Sequence, residues 1–305
     1  MVSILQKKYS FFIIVSACLW GTLGIYVNIL EKYGFSPIEI SALRYIFSAI
    51  LIILIALRYG FKRLKVQKND IWKFIFLGTV STMSTSILYL LCMQMTSAAV
   101  SNVLMYTSPI WVTLFLTVFK GAKFTKGYFL SILFVFIGCI LVSNVFNIKS
   151  IHYSLLGILI GIASGITYGS YTIMGKNLAE RYSVTAIIAY NCLFAGIGSM
   201  FFIDIKKAAC IIMKSSECFV NALALSILGT VIPYFLYSIA LKKTDSVKAS
   251  IICTAEPVTA TIISTFILDE KLNFIQFLGI LLIIGTIILL NSNSIFTIVK
   301  HIIKR

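Results

Sequence analysis

One isolated acid, Glu256, stands in a long apolar stretch and is followed at once by Pro257. The run from Asp245 to Glu270 reads as a single membrane-spanning helix with ionisable residues at both ends. At roughly 1.5 Å of rise per residue, Glu256 lies more than about 15 Å from either end. A carboxylate at that depth is costly to insert, so it is retained where it faces a bundle interior, a partner or water. The chemistry open to it is that of a proton or cation site, or of a counter-charge for an ammonium group on a solute. A neutral acid is cheaper to hold in lipid than an anion, which is how such a group carries a proton. The plain alternative is a structural hydrogen bond supporting a helix break, because Pro257 removes a backbone donor and is expected to leave carbonyls near Cys253 without their usual partners. The depth favours the functional reading.

Arg44 is the other charge well inside a span, about seven residues beyond Pro37 and so roughly 10 Å from that end. It either caps carbonyls between packed helices, snorkels to the headgroups, pairs with Glu256 or receives a substrate carboxylate. If both charges face one cavity, they suit a zwitterion. Trp20, Tyr89, Tyr106, Tyr168, Tyr171, Tyr234 and Tyr237 also lie within spans rather than only at interfaces, and buried Tyr hydroxyls need partners. Gln94, Asn102 and Ser250 are further candidate polar contacts, and Pro109 and Pro233 are candidate bends that open or close a cavity. Gly157, Gly161, Gly165 and Gly169 recur every fourth residue and read as a packing ridge on which a neighbouring backbone approaches closely.

These residues need elements to hold them, and composition says which kind. Of 305 residues 59% are apolar and only 12% charged, with a mean hydropathy of +1.00, which marks a polytopic all-α membrane protein. Ten spans are expected, approximately 9–30, 37–59, 71–92, 97–119, 127–144, 153–175, 183–202, 219–241, 246–268 and 273–291. Residues 292–305 form a basic tail. Val15-Ser16-Ala17-Cys18 after Lys7 and Lys8 resembles a lipoprotein cleavage site, but the apolar run continues to Leu30, so the first helix is expected to stay.

The net charge of +16 needs no nucleic acid to explain it. Basic residues crowd alternate connections: Lys7 and Lys8; Arg58, Lys62, Arg63, Lys65, Lys68 and Lys73; Lys120, Lys123 and Lys126; Lys176 and Arg181; Lys242 and Lys243; Lys300, Lys304 and Arg305. Lys32, Lys149, Lys206, Lys207, Lys214 and Lys271 fall on the other side. This asymmetry predicts a cell-membrane protein with both termini cytoplasmic. Seven scattered cysteines contain no CxxC pair, and only Cys210 and Cys218 fall in a polar connection where pairing is conceivable. His152 and His301 cannot assemble a metal cluster, so neither metal nor cofactor is expected. Gly169 to Gly175-Lys176 resembles a phosphate loop, but it is one residue too long and Asn177 replaces the hydroxyl. No GxSxG, HExxH or DFG-like run occurs, so the chain does not read as an enzyme.

The chain also repeats itself. A gap-free displacement of 148 positions (257 minus 109) carries Pro109 onto Pro257, Gly21 onto Gly169, Tyr89 onto Tyr237, Thr96 onto Thr244, Thr113 onto Thr261, Lys123 onto Lys271, Asn102 onto Ser250 and Trp20 onto Tyr168. Five helices per copy is an odd number, so the copies, 9–144 and 153–291, enter the membrane in opposite senses around a central cavity.

Glu256-Pro257, then Asp269-Glu270, then Gly279 and Gly285 resemble the C-terminal half of an EamA domain of the drug/metabolite transporter superfamily. Trp20-Gly21 and Arg44-Tyr45 are similar to the N-terminal half of the same domain. The resemblance implies ten transmembrane helices, a cavity between two halves, and transport of amino acids, other small metabolites or drugs, commonly outward. Two departures are plain. Lys120-Gly121-Ala122-Lys123 stands where the first copy usually carries an acid, and Ser108 stands opposite Glu256, so any coupling charge rests on the second half. The expected function is secondary transport of a small polar or amphipathic metabolite, with export of amino acids or related solutes leading, and uptake or export of organic cations as the alternative. Proton coupling stays open for Glu256 beside the binding of a cation or a substrate ammonium group; neither the coupling ion nor the oligomeric state is encoded in any residue pattern.

Overall fold

A computed structural model describes residues 2–60, 64–123, 125–145, 154–267 and 271–292. Lys62, Arg63, Lys149, His152, the Asp269-Glu270 pair and the basic tail beyond Ser292 lie outside the described residues. Among the described residues nine helices are long and apolar enough to cross a membrane, and a tenth of 17 residues is still within the spanning range. In chain order they are α1 (Lys7–Glu31), α2 (Pro37–Arg58), α3 (Lys68–Met95), α4 (Ala98–Lys120), α5 (Lys126–Val142), α6 (Leu155–Arg181), α7 (Val184–Phe202), α8 (Ser216–Leu241), α9 (Ser246–Ile267) and α10 (Phe274–Asn291).

The sequence patterns that begin these helices are local. Ser36 caps α2 in a capping box with Glu39, with Pro37 in the first turn, and Asn273 does the same for α10 with Gln276. Asp245 accepts from Val247 N and Lys248 N at the start of α9. Isoleucine, leucine and phenylalanine side chains on α2, α5 and α10, such as Leu54, Phe129 and Ile288, point outward and remain exposed, as lipid-facing surfaces require.

Packing follows the duplication. The helix pairs α1–α8 and α3–α6 are equivalent under the 148 displacement, as are α1–α9 and α4–α6, while α2–α7 and α5–α10 pair each helix with its own counterpart. This is the pairing expected of two inverted five-helix repeats related by a two-fold axis between them. Even a backbone irregularity is shared, since wide π-type turns occupy Phe76–Met83 in α3 and Ile227–Val231 in α8, and the displacement carries Thr79–Met83 onto the second.

One element was not expected. Between α7 and α8 the connection folds into an amphipathic helix, Ile205–Lys214, capped by Asp204, whose Ala208, Ile211 and Ile212 join an apolar cluster that also holds Cys218, Leu225, Leu30, Phe35 and Leu43. Cys210 on it is exposed and Cys218 is buried; both are free thiols.

Candidate functional site

α9 is not one continuous helix. It consists of Ser246–Ile252 and Ala255–Ile267, with a turn at Cys253-Thr254. The break therefore precedes Pro257, which sits in the first turn of the second piece, where its missing donor costs nothing. The carbonyls expected to be orphaned are satisfied, Cys253 O accepting from Glu256 N at 3.0 Å and Ile251 O from Thr254 N at 3.1 Å and Thr254 Oγ1 at 2.6 Å. α4 breaks at the matching place, between Ala98–Met105 and Ser108–Lys120, and Pro109 occupies the corresponding first turn. Pro233 follows the π-type turns of α8. All three prolines thus mark interruptions rather than kinks within regular helix.

Glu256 is placed by this break and by a close backbone approach. Gly21 of α1 rests against α9 so tightly that a Cβ would lie 2.7 Å from Thr259 Cβ and 3.0 Å from the Glu256 carbonyl oxygen. The Glu256 carboxylate is partly buried and accepts a hydrogen bond from the Tyr168 hydroxyl of α6 at 2.9 Å. The Tyr106 hydroxyl also interacts with it. Tyr168 and Trp20, matched in the repeat, both border the same cavity.

That cavity has a volume of about 550 Å³ and is walled by both repeats, within the range of small-molecule sites. It extends from Trp20, Tyr168 and Glu256 to Glu31, Pro37 and Ala98, at the α1–α2 and α3–α4 connections, which alternation of the spans puts on one face. Tyr89 and Asn102 line it together, the Tyr89 hydroxyl donating to Asn102 Oδ1 at 2.9 Å. Arg44 lines it as well, only 8% exposed, and does not snorkel. Its Nη2 donates to the Tyr45 hydroxyl and to Ser86 Oγ at 3.1 Å, and it lies over the Tyr45 ring at 4.6 Å. Among the described residues Arg44 forms no ion pair with Glu256, although the two are within electrostatic reach.

Below Glu256 the cavity ends on packed aromatics. Trp20 meets Tyr234 and Tyr237 edge-on at 5.1 and 5.6 Å, and Tyr171 lies 4.8 Å from Tyr234. Tyr237 bonds Thr172 at 2.7 Å, and Ser250 donates to Val247 O. The void left among these side chains is about 10 Å³, room for about one water and no solute. Tyr237 and Ser250 therefore belong to the floor rather than to the cavity wall. Gln94 is exposed and stands apart from the cavity-lining residues. The glycine ridge of α6 is a packing surface: a Cβ would fall 2.8 Å from Thr96 Cγ2 at Gly157, 2.7 Å from Cys92 Sγ at Gly161, 2.6 Å from Leu104 O at Gly165 and 3.2 Å from Ser108 O at Gly169.

Sequence reasoning did not find Tyr45, Ser86 or Thr85, which surround Arg44 or line its side of the cavity. Tyr45 adjoins Arg44 in the chain, a signal that was available; the two hydroxyl residues of α3 carry none. It also missed a polar cluster on the face opposite the cavity mouth. There Asp70, buried at the start of α3, is bonded by Lys73 and by the Tyr182 hydroxyl and lies 3.7 Å from Arg181, both at the end of α6.

The sequence profile of the EamA-like transporter family matches residues 7–144 and again residues 155–292, two copies offset by the same 148 positions. The chain belongs to the EamA-like transporter family. It is 25% identical to YicL, an uncharacterized inner membrane transporter of Salmonella typhimurium, over 92% of this chain and 94% of that one. An uncharacterized transporter of Clostridium kluyveri is also 25% identical, over 95% of both chains. A crystal structure at 16% identity matches with a TM-score of 0.77 over 96% of this chain and 99% of the other, a likeness of fold. The broken α4 and α9, the paired aromatics and the cavity between repeats are thus features of an EamA-like multi-pass membrane protein from a family of transporters.

Proposed function

We propose that this EamA-like protein is a secondary transporter of the cytoplasmic membrane, exporting amino acids or related small metabolites by alternating access of its two repeats. The observation that carries the reading is the placement of Glu256, at the inner limit of a cavity walled by both repeats and bonded to Tyr168. A carboxylate so placed takes a proton or a substrate ammonium, and each changes how easily the repeats move past it. The cavity reaches one face, while the aromatic floor and the Asp70 cluster close the other; rocking the repeats exchanges these roles. With both termini cytoplasmic by the charge asymmetry, the closed face is the cytoplasmic one. Export follows the family's commoner direction.

The test is reconstitution in liposomes with labelled amino acids and amines, with and without a pH gradient, alongside Glu256→Gln. Gradient-dependent flux that the variant abolishes is expected. Unchanged flux in the variant removes Glu256 from the mechanism. Flux of amines alone supports the competing reading, an exporter of organic cations that uses Glu256 as sole counter-charge.

A further inference from the structure

Arg44 is the single positive charge among the described residues that line the cavity, where the acids are Glu31 and Glu256. It is held rather than paired. Among the described residues its side chain bonds the hydroxyls of Tyr45 and Ser86 and no others, those two hydroxyls share a further bond at 2.6 Å, and its Nε has no partner. A guanidinium kept for structure alone is normally saturated by backbone carbonyls or answered by a carboxylate within salt-bridge distance. Arg44 has neither among the described residues. A buried cation left without an anion costs free energy, and an anionic group entering the cavity recovers that cost.

The planar guanidinium also prefers one kind of anion. Its fork of N–H donors matches a carboxylate, and stacking on Tyr45 fixes the plane of the fork in advance. Arg44 stands on α2 of the first repeat and Glu256 on α9 of the second, so a solute carrying both an ammonium and a carboxylate spans the two repeats.

We infer that Arg44, seated on Tyr45 and Ser86, is the carboxylate seat of the transported solute, so that the substrate class is amines that also bear a carboxylate. This rests on the transport reading above, and it separates the two candidate substrate classes. A plain organic cation leaves Arg44 unanswered and adds a second positive charge to the same cavity.

The experiment compares matched solutes in proteoliposomes: leucine, lysine and phenylalanine, each beside its methyl ester and its decarboxylated amine, with wild type, Arg44→Lys and Arg44→Gln. Wild type is expected to move at least one amino acid about tenfold or more faster than its ester and amine, because a site built for a polar group rejects analogues lacking it. Arg44→Gln should erase that preference and Arg44→Lys should keep part of it. An ester or amine moved as fast as its parent acid overturns the inference, as does a preference that survives in Arg44→Gln. Amines moving while no amino acid does leaves transport standing and the carboxylate seat refuted; no movement of any solute refutes both. Should Arg44→Gln fail to assemble as a monodisperse protein, the wild-type comparison of acid, ester and amine decides alone.

Discussion

The Tyr182 hydroxyl donates to Asp70 Oδ2 at 2.6 Å, joining the end of α6 in one repeat to the start of α3 in the other. Phe74 packs beside it, 5.3 Å from the Tyr182 ring and 5.2 Å from that of Tyr190, and the Tyr190 hydroxyl donates to Leu64 O at 3.2 Å. On the face opposite the cavity mouth the repeats are therefore tied by directed polar bonds around a buried acid. Opening that face requires breaking them.

Asp70→Asn and Tyr182→Phe are expected to shift the protein toward the state open on that face. Maleimide labelling of a Ser250→Cys reporter on the aromatic floor, in a background without native cysteines, reads the shift. Labelling should rise on the order of fivefold or more, as coupling between two-state elements commonly gives. An unchanged rate means that the cluster does not hold the face closed.

Tyr168→Phe removes the hydroxyl bonded to Glu256 and changes nothing else in the ring. A hydrogen bond to a charged group is worth about 1.5–3 kcal/mol, so transport should fall roughly 10- to 100-fold with the fold intact. Flux within a factor of two of wild type would show that Tyr168 does not serve Glu256.

Gly165→Ala and Gly285→Ala are opposite cases. At Gly165 the new methyl meets Leu104 O at 2.6 Å, a carbonyl that cannot give way, and overpacking of this kind costs about 1–3 kcal/mol. At Gly285 nothing lies within 4 Å, and alanine stabilises a helix interior by up to about 1 kcal/mol. Thermal unfolding in detergent should place the two variants on either side of wild type.

Asn102→Ala deprives Tyr89 of its acceptor in the cavity wall and should weaken apparent substrate affinity, by roughly fivefold for the loss of one neutral hydrogen bond. Gln94→Ala, on an exposed position away from the cavity, should leave it unchanged. Equal effects would mean that the wall extends further than Asn102.

Spans, duplication and the cavity-facing acid were legible because each leaves a one-dimensional trace. Apolar length marks a helix, a fixed displacement marks a copy, and a lone carboxylate in an apolar run marks a site. The orientation of Arg44 was not legible, because α2 carries large apolar side chains on every side and its two nearby serines, Ser41 and Ser48, do not say whether their face meets protein or a cavity. Pro257 drew attention to the right helix but to the wrong bond, since proline tolerates the start of a helix better than its middle and the turn falls just before it. The Asp70 cluster was invisible because the partners that tie it to α6, Arg181 and Tyr182, lie more than a hundred positions away in the chain. Gln94 misled because polarity near a span end suits an exposed position as well as a cavity wall.

The two copies have not kept the same backbone where α1 and α6 are concerned. α6 runs unbroken from Leu155 to Arg181, whereas α1 is interrupted at Thr22, whose hydroxyl turns back to Leu19 O at 2.7 Å. The duplicated design has therefore become a stiff mast facing a jointed arm. In the transport reading proposed above, the interruption beside Trp20 is the place where the outer part of α1 would bend over a solute while its root stays anchored, so that occlusion at the mouth would not wait for either repeat to tilt as a whole.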